Sequence, residues 1–113
     1  MRRRLALAGS LLAVTALIGG GASADVSSKR TVAVGDNFFD PDKISISAGT
    51  KVAFNWIGDK DHNVTKVSGP GGSFASTTTD SRGVNYEKKF KNTGKYKLVC
   101  TVHDKMKMKV KVK

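Results

Sequence analysis

Residues 95–112, KYKLVCTVHDKMKMKVKV, decide the class of fold. From residue 106 to residue 113, apolar and basic side chains alternate strictly. One face consists of Met106, Met108, Val110 and Val112, and the other of Lys107, Lys109, Lys111 and Lys113. A two-residue repeat places successive side chains on opposite faces of a β-strand, whereas a helix repeats about every 3.6 residues. We therefore predict a half-buried strand, whose lysines would also discourage pairing at a sheet edge.

The same repeat recurs along the chain between short turn sequences. It is found in segments 31–34, 43–47, 51–56, 86–90 and 96–100, and turns are indicated at 35–37, 48–49 and 92–94. The Gly/Ser/Thr-rich stretch 68–83 has the weakest pattern, although Phe74 could anchor a short strand there. No segment has a helical apolar repeat of useful length. The pattern predicts an all-β fold, a β-sandwich of about seven strands.

Residues 1–24 have the layout of a secretory signal peptide. Three arginines precede an apolar run at 5–18, and the small residues Ala22-Ser23-Ala24 precede Asp25. The run is shorter than the roughly 20 residues that cross a bilayer, which disfavours a membrane anchor. We expect cleavage before Asp25 and export to the periplasm, cell envelope or exterior, with the Sec and twin-arginine routes both open. The predicted organisation is a signal peptide at 1–24, a flexible leader at 25–30 and one small domain at 31–113.

The chain is strongly basic, with a formal net charge of +11 that falls to +8 once the three signal arginines are removed. The stretch from Lys88 to Lys113 contains ten lysines and a single acid, Asp104. This asymmetry favours an anionic partner, such as the acidic docking face of a redox protein or an anionic envelope surface. It does not indicate a nucleic-acid binder, because the lysines are not interleaved with exposed aromatic residues or a base-reading motif.

The single cysteine points to a metal site. A small secreted domain is usually cross-linked by an even number of cysteines, but Cys100 has no partner in the chain. His103 and Met106 follow Cys100 at three-residue intervals, and His62 follows the 51–56 strand. Two imidazoles, a thiolate and a weak thioether are the donor set of blue-copper electron-transfer sites. Taken singly, the cysteine could be a small buried hydrophobe and the methionines could be core, and zinc also accepts Cys and His.

The segment from Phe38 to the C-terminus resembles the cupredoxins of the plastocyanin and amicyanin type. The resemblance rests on Phe39-Asp40-Pro41, Ala48-Gly49, Val52-Ala53-Phe54, His62-Asn63-Val64, Gly94-Lys95-Tyr96 and Cys100-Thr101-Val102-His103, in the family's order. It implies an eight-stranded Greek-key β-sandwich with one type 1 copper ion at one end. It also implies that Asn63 ties the ligand loop to Thr101 by hydrogen bonding, and that His103 is the port for electrons.

The chain departs from the family at three positions, and none of them is a ligand. Val102 stands where many members have proline, Lys105 where related loops often have glycine, and Val99 where plant plastocyanins have an exposed tyrosine. The axial ligand has two candidates. In the plastocyanins and the amicyanins, the strand valines stand four and six residues after the axial methionine. Val110 and Val112 have that spacing from Met106, so the register favours Met106 over Met108.

The predicted function is that of a secreted, monomeric one-electron carrier. Copper enzymes of cupredoxin ancestry need a second copper site with further histidines, and this chain has two histidines in all. The alternative is a copper-binding module for storage or delivery outside the cytoplasm, which would use the same ligands.

Overall fold

The structure is a computed structural model that describes residues 28–113, and within them it is built from eight strands. The predicted signal peptide lies outside the described residues. The strands are β1 (Lys29–Gly35), β2 (Phe38–Asp40), β3 (Lys43–Ile46), β4 (Thr50–Trp56), β5 (Thr65–Ser68), β6 (Gly83–Phe90), β7 (Gly94–Val99) and β8 (Lys107–Val112). Over 28–113 no helix is long and apolar enough to cross a membrane. The predicted all-β class is confirmed.

Two four-stranded sheets form the sandwich. One has the order β2-β1-β4-β6 and the other the order β3-β8-β7-β5. Each sheet contains one parallel pair, β1 with β4 and β3 with β8, and the remaining neighbours are antiparallel. Because β1 and β4 run in the same direction, the chain leaves both strands at the same end of the sandwich. His62 follows β4 at that end.

The first strand begins earlier than the sequence pattern indicates. Residues 29 and 30, assigned to a flexible leader, pair with Lys51 and Val52 of β4. Their side chains are exposed, so they add no period-two apolar signal. The parallel neighbour orders their backbone, and the part of the leader before residue 28 lies outside the described residues.

The core is made by the alternate residues of these strands. In β8 the burial alternates along the whole strand, with Met108, Val110 and Val112 inside and the lysines outside. The largest fully buried side chains include Trp56, Phe54, Phe90 and Leu98. Burying each such apolar side chain stabilises the fold by roughly 1.5–3 kcal/mol, so the two-residue repeat largely determines which face of each strand is inside.

The stretch with the weakest sequence pattern packs along the segment that leads into β5. Lys66 N donates to Phe74 O and Ser76 N donates to Val64 O. Isolated β-bridges pair Thr65 with Ala75 and His62 with Thr79 along the same two segments. The Lys66 ammonium also donates to the carbonyls of 70, 71 and 72 at 2.6–2.9 Å. This irregular segment supports the chain just after His62.

Candidate metal centre

The structure brings together three of the side chains that the sequence singles out. The donor atoms of His62, Cys100 and His103 all lie within 4.8 Å of one another. Cys100 Sγ lies 4.0 Å from His62 Nδ1 and 3.6 Å from His103 Nδ1. His62 and Cys100 are buried, and His103 is partly exposed.

These spacings fit a single metal ion. With bond lengths of about 2.3 Å to a thiolate and about 2.0 Å to an imidazole, as zinc has, a trigonal ion separates the two donors by about 3.7 Å. The two observed S···N distances of 3.6 and 4.0 Å bracket that value. The Nδ1 atoms of both rings lie toward the sulfur, so the three donors can share one ion without rearrangement of the backbone.

The backbone of His62 is fixed by hydrogen bonds with neighbouring segments. Its backbone N–H donates to Thr79 O at 3.0 Å, and Thr79 N–H donates to His62 O at 3.1 Å. The indole N–H of Trp56, at the end of β4, donates to Thr79 O at 2.9 Å and to His62 O at 3.3 Å. His62 is therefore fixed to two neighbouring segments through its main chain, although it lies in a loop.

Cys100 and His103 lie in a short loop between β7 and β8. Cys100 N–H donates to Met106 O at 2.9 Å, and Met106 N–H lies 3.4 Å from His103 O. Lys105 has a φ of +70°, in the left-handed region that glycine adopts readily. This is the position at which related loops often have glycine, so the backbone turns here as in a glycine-containing loop and Lys105 bears the strain.

The two methionine candidates differ in position. Met106 is buried in the ligand loop immediately before β8. Met108 is a strand residue that lies opposite Leu98 in the β7–β8 pair, and it is equally buried. Met106 therefore shares the loop of Cys100 and His103, while Met108 belongs to the sandwich core.

Asn63 connects the two ligand segments. Its side-chain amide donates to Thr101 Oγ1 at 2.7 Å and to Thr78 Oγ1 at 2.9 Å, and its carbonyl accepts from Thr101 N–H at 3.1 Å and Thr65 Oγ1 at 2.9 Å. Its own backbone N–H points at Cys100 Sγ at 3.5 Å. The segment that carries His62 and the one that carries Cys100 therefore form one hydrogen-bonded unit.

Comparisons with known proteins agree with this geometry. Residues 26–113 match the family described as copper binding proteins of the plastocyanin/azurin family. The chain belongs to this family. The predicted resemblance to cupredoxins is thus confirmed, and copper is the cofactor.

Individual relatives show how far the similarity extends. The cupredoxin is 36% identical over 66 residues to a halocyanin of Natronomonas pharaonis, a match that covers 58% of this chain and 40% of the halocyanin. Its fold is similar to that of a reduced amicyanin variant, with a TM-score of 0.68, 23% identity and coverage of 81% and 90% of the two chains. It is also similar to a purple cupredoxin from Nitrosopumilus maritimus, with a TM-score of 0.64, 22% identity and coverage of 74% and 98%.

Two groups of residues around the cupredoxin's site are not indicated by sequence reasoning. Thr78 and Thr79 lie in the Gly/Ser/Thr-rich stretch, where no periodic pattern marks them. Asp36 lies in the turn after β1, yet one of its carboxylate oxygens is 2.9 Å from His62 Nε2. The position of Asp36 directly after β1 would indicate that it lies near the loop after β4, because the two strands are parallel. That inference requires the strand pairing to be known first.

Proposed function

We propose that this cupredoxin is an exported one-electron carrier with a type 1 copper ion held by His62, Cys100, His103 and Met106. Copper supplies the redox chemistry by alternating between Cu(II) and Cu(I). The observation that carries the proposal is the joint placement of a buried cysteine sulfur and two imidazoles within 4.8 Å, the donor set of blue-copper sites.

His103 is the proposed port for electrons. It is the one partly exposed member of the three-residue cluster, whereas His62 and Cys100 are buried. The neighbouring Val102 is half exposed and provides an apolar contact beside it. A redox partner docked on this surface would approach the metal centre through a single imidazole ring.

The partner is proposed to be anionic. Six lysines cover the exposed face of the second sheet, namely Lys43, Lys95, Lys97, Lys107, Lys109 and Lys111. Three like-charged pairs stand directly opposite one another in the strand register, 95 with 111, 97 with 109, and 43 with 109. Such pairs destabilise a sheet. Solubility alone could be achieved with mixed charges, so this arrangement favours a role in attracting an acidic redox protein or an anionic envelope surface.

The proposed role is transport of electrons, with no enzymatic activity and with a monomer as the functional unit. Export is proposed from the signal-like residues 1–24. In an oxidising compartment, copper would occupy the single cysteine, which has no disulfide partner. Both histidines of the chain lie in the one cluster. The chain therefore has no imidazoles left for a second, catalytic copper site.

The test begins with the visible spectrum of the copper-loaded protein. A thiolate bound to Cu(II) should give an intense charge-transfer band, and Cys100→Ser should remove the band while the far-ultraviolet spectrum of the sandwich persists. A control at Met108, in the form Met108→Leu, should keep the colour. Uptake of Cu(II) without colour, or preferential binding of zinc, would refute a type 1 centre.

Storage or delivery of copper is the alternative, and kinetics separate it from electron transport. A carrier should be oxidised and reduced reversibly by small inorganic reagents without loss of metal. A delivery protein should instead bind Cu(I) preferentially and release it to a competing chelator. Reversible cycling with retained copper would support the carrier, and copper loss on each reduction would exclude it.

A further inference from the structure

Asp36 is an acidic residue whose position follows from the parallel pairing of β1 and β4. It lies immediately after β1, and the loop 57–61 leaves β4 at the same end of the sandwich. Its side chain is about one third exposed. Gly58 packs directly against it, and a Cβ at position 58 would overlap the carboxylate. The absence of a side chain at Gly58 is thus a condition for the position of Asp36.

The carboxylate is surrounded by donors. Backbone N–H groups of Asp59 and Lys60 donate to it at 3.0 Å, and the Nε2 atom of His62 lies 2.9 Å from Oδ1. An aspartate carboxyl group is ordinarily ionised at neutral pH, so these donors face an anion, and one of them is a ring nitrogen of the buried His62.

This contact determines which nitrogen of His62 is available to a metal. A neutral imidazole carries its proton on one nitrogen and has a lone pair on the other. An acceptor at Nε2 places the proton there and leaves the lone pair at Nδ1, the atom 4.0 Å from Cys100 Sγ. Carboxylates that accept from a metal-bound histidine also fix the ring orientation and increase its basicity.

We propose that Asp36 is a positioning residue for the copper centre, which orients His62 through Nε2 and lowers the reduction potential by strengthening the imidazole as a donor to Cu(II). The proposal rests on the proposed ligand role of His62. An anion near the metal favours the more positive ion, so Cu(II) is stabilised more than Cu(I).

A solely structural role would give different results. Asp36 also anchors the loop through the amides of Asp59 and Lys60, and loss of that anchor would affect stability alone. Asp36→Asn separates the two roles, because the amide oxygen can still accept from the same donors but the charge is gone. Asp59→Asn is the matched control, because the Asp59 side chain is 80% exposed and pairs with Arg82 rather than with His62.

The experiment measures the reduction potential and the affinities for Cu(II) and Cu(I) in the three proteins. Loss of such a partner typically costs 10- to 100-fold in metal affinity. We expect Asp36→Asn to lower the affinity for Cu(II) about 10-fold or more, to lower the affinity for Cu(I) less, and to raise the reduction potential. Asp59→Asn should resemble the wild type in all three properties. Equal reduction potentials in the three proteins, or an equal rise of the potential in Asp36→Asn and Asp59→Asn, would overturn the proposal.

A second measurement uses the metal-free protein. Nitrogen-15 NMR of the histidine rings at about pH 8 should show His62 protonated at Nε2 in the wild type and a mixture of tautomers in Asp36→Ala. An unchanged tautomer in Asp36→Ala would overturn the positioning role. If the wild type bound no Cu(II), the proposed function would fail, yet this measurement would still decide whether Asp36 orients His62.

Discussion

Replacement of Asn63 by alanine should destabilise the metal-free domain strongly, because one buried side chain makes four hydrogen bonds. They join Asn63 to Thr65, Thr78 and Thr101 at 2.7–3.1 Å. Each such bond contributes about 1 kcal/mol net. Thr78 and Thr101 are exposed, so in the variant their freed groups can form hydrogen bonds with water, which recovers part of the lost stability. We expect Asn63→Ala to lower the free energy of unfolding by about 2 to 3 kcal/mol.

Thermal and urea denaturation of the apoprotein measure this loss. For a domain of this size 1 kcal/mol corresponds to roughly 4–8 °C, so the melting temperature should fall by about 10 to 20 °C. Asn85→Ala is the control, since that amide makes one exposed hydrogen bond, to Ser81 O. It should cost less than about 1 kcal/mol. Equal losses in the two variants would refute the view that Asn63 joins the ligand segments.

A double-mutant cycle locates the effect within the network. Thr101→Val removes the hydroxyl that accepts from Asn63 Nδ2 but keeps the shape of the side chain. Residues in one hydrogen-bond network usually show coupling energies of about 0.5–3 kcal/mol. We expect the loss in the double variant to be smaller than the losses in Asn63→Ala and Thr101→Val taken together. Strict additivity would mean that the two residues act independently.

Three further predictions concern the ligand loop and its charges. Met106→Leu should raise the reduction potential and alter the visible spectrum, because it removes the proposed axial thioether, while Met108→Leu should change neither property. A shift of the potential in Met108→Leu alone would reverse the proposed axial assignment. Lys105→Gly should raise the free energy of unfolding, measured by urea denaturation, by up to about 1 kcal/mol, because Lys105 has a φ of +70° that glycine adopts without strain. A less stable variant would contradict the view that the backbone at Lys105 is strained. Stopped-flow oxidation by an anionic reagent should slow as salt rises, and Lys107→Glu should slow it at low salt more than Lys89→Glu on the other sheet. Rates independent of salt in all three proteins would leave only solubility as the role of these lysines.

The sandwich could be predicted from the sequence because its strands carry their own local signal. Strict alternation in β8 determines both its type and its buried face, and Val52, Phe54 and Trp56 do the same for β4. Alternation does not reveal which strands are neighbours. The parallel pairing of β1 with β4 depends on the whole topology, and the strand residues Lys29 and Arg30 have exposed side chains that give no pattern.

The same distinction holds at the metal centre. His62, Cys100 and His103 can be identified from residue type and spacing, since the chain has one cysteine and two histidines. Asp36 cannot, because it is separated from His62 by 26 positions and reaches it only through the ends of two parallel strands. Thr78 and Thr79 are equally hidden in a segment without a periodic pattern, although they bond Asn63 and His62.

The supporting contacts explain how a site drawn from two distant segments can be ready for a metal ion. His62 is fixed at its backbone by Thr79 and Trp56 and at its ring by Asp36. The loop of Cys100 is closed by its own bond to Met106 and joined to the His62 segment by Asn63. His62 and the Cys100 segment are thus held by protein contacts alone, so the positions of these two donors need not change with the charge of the ion. A site whose supporting residues hold its geometry within narrow limits loses little energy to rearrangement, which is the physical requirement for rapid one-electron exchange.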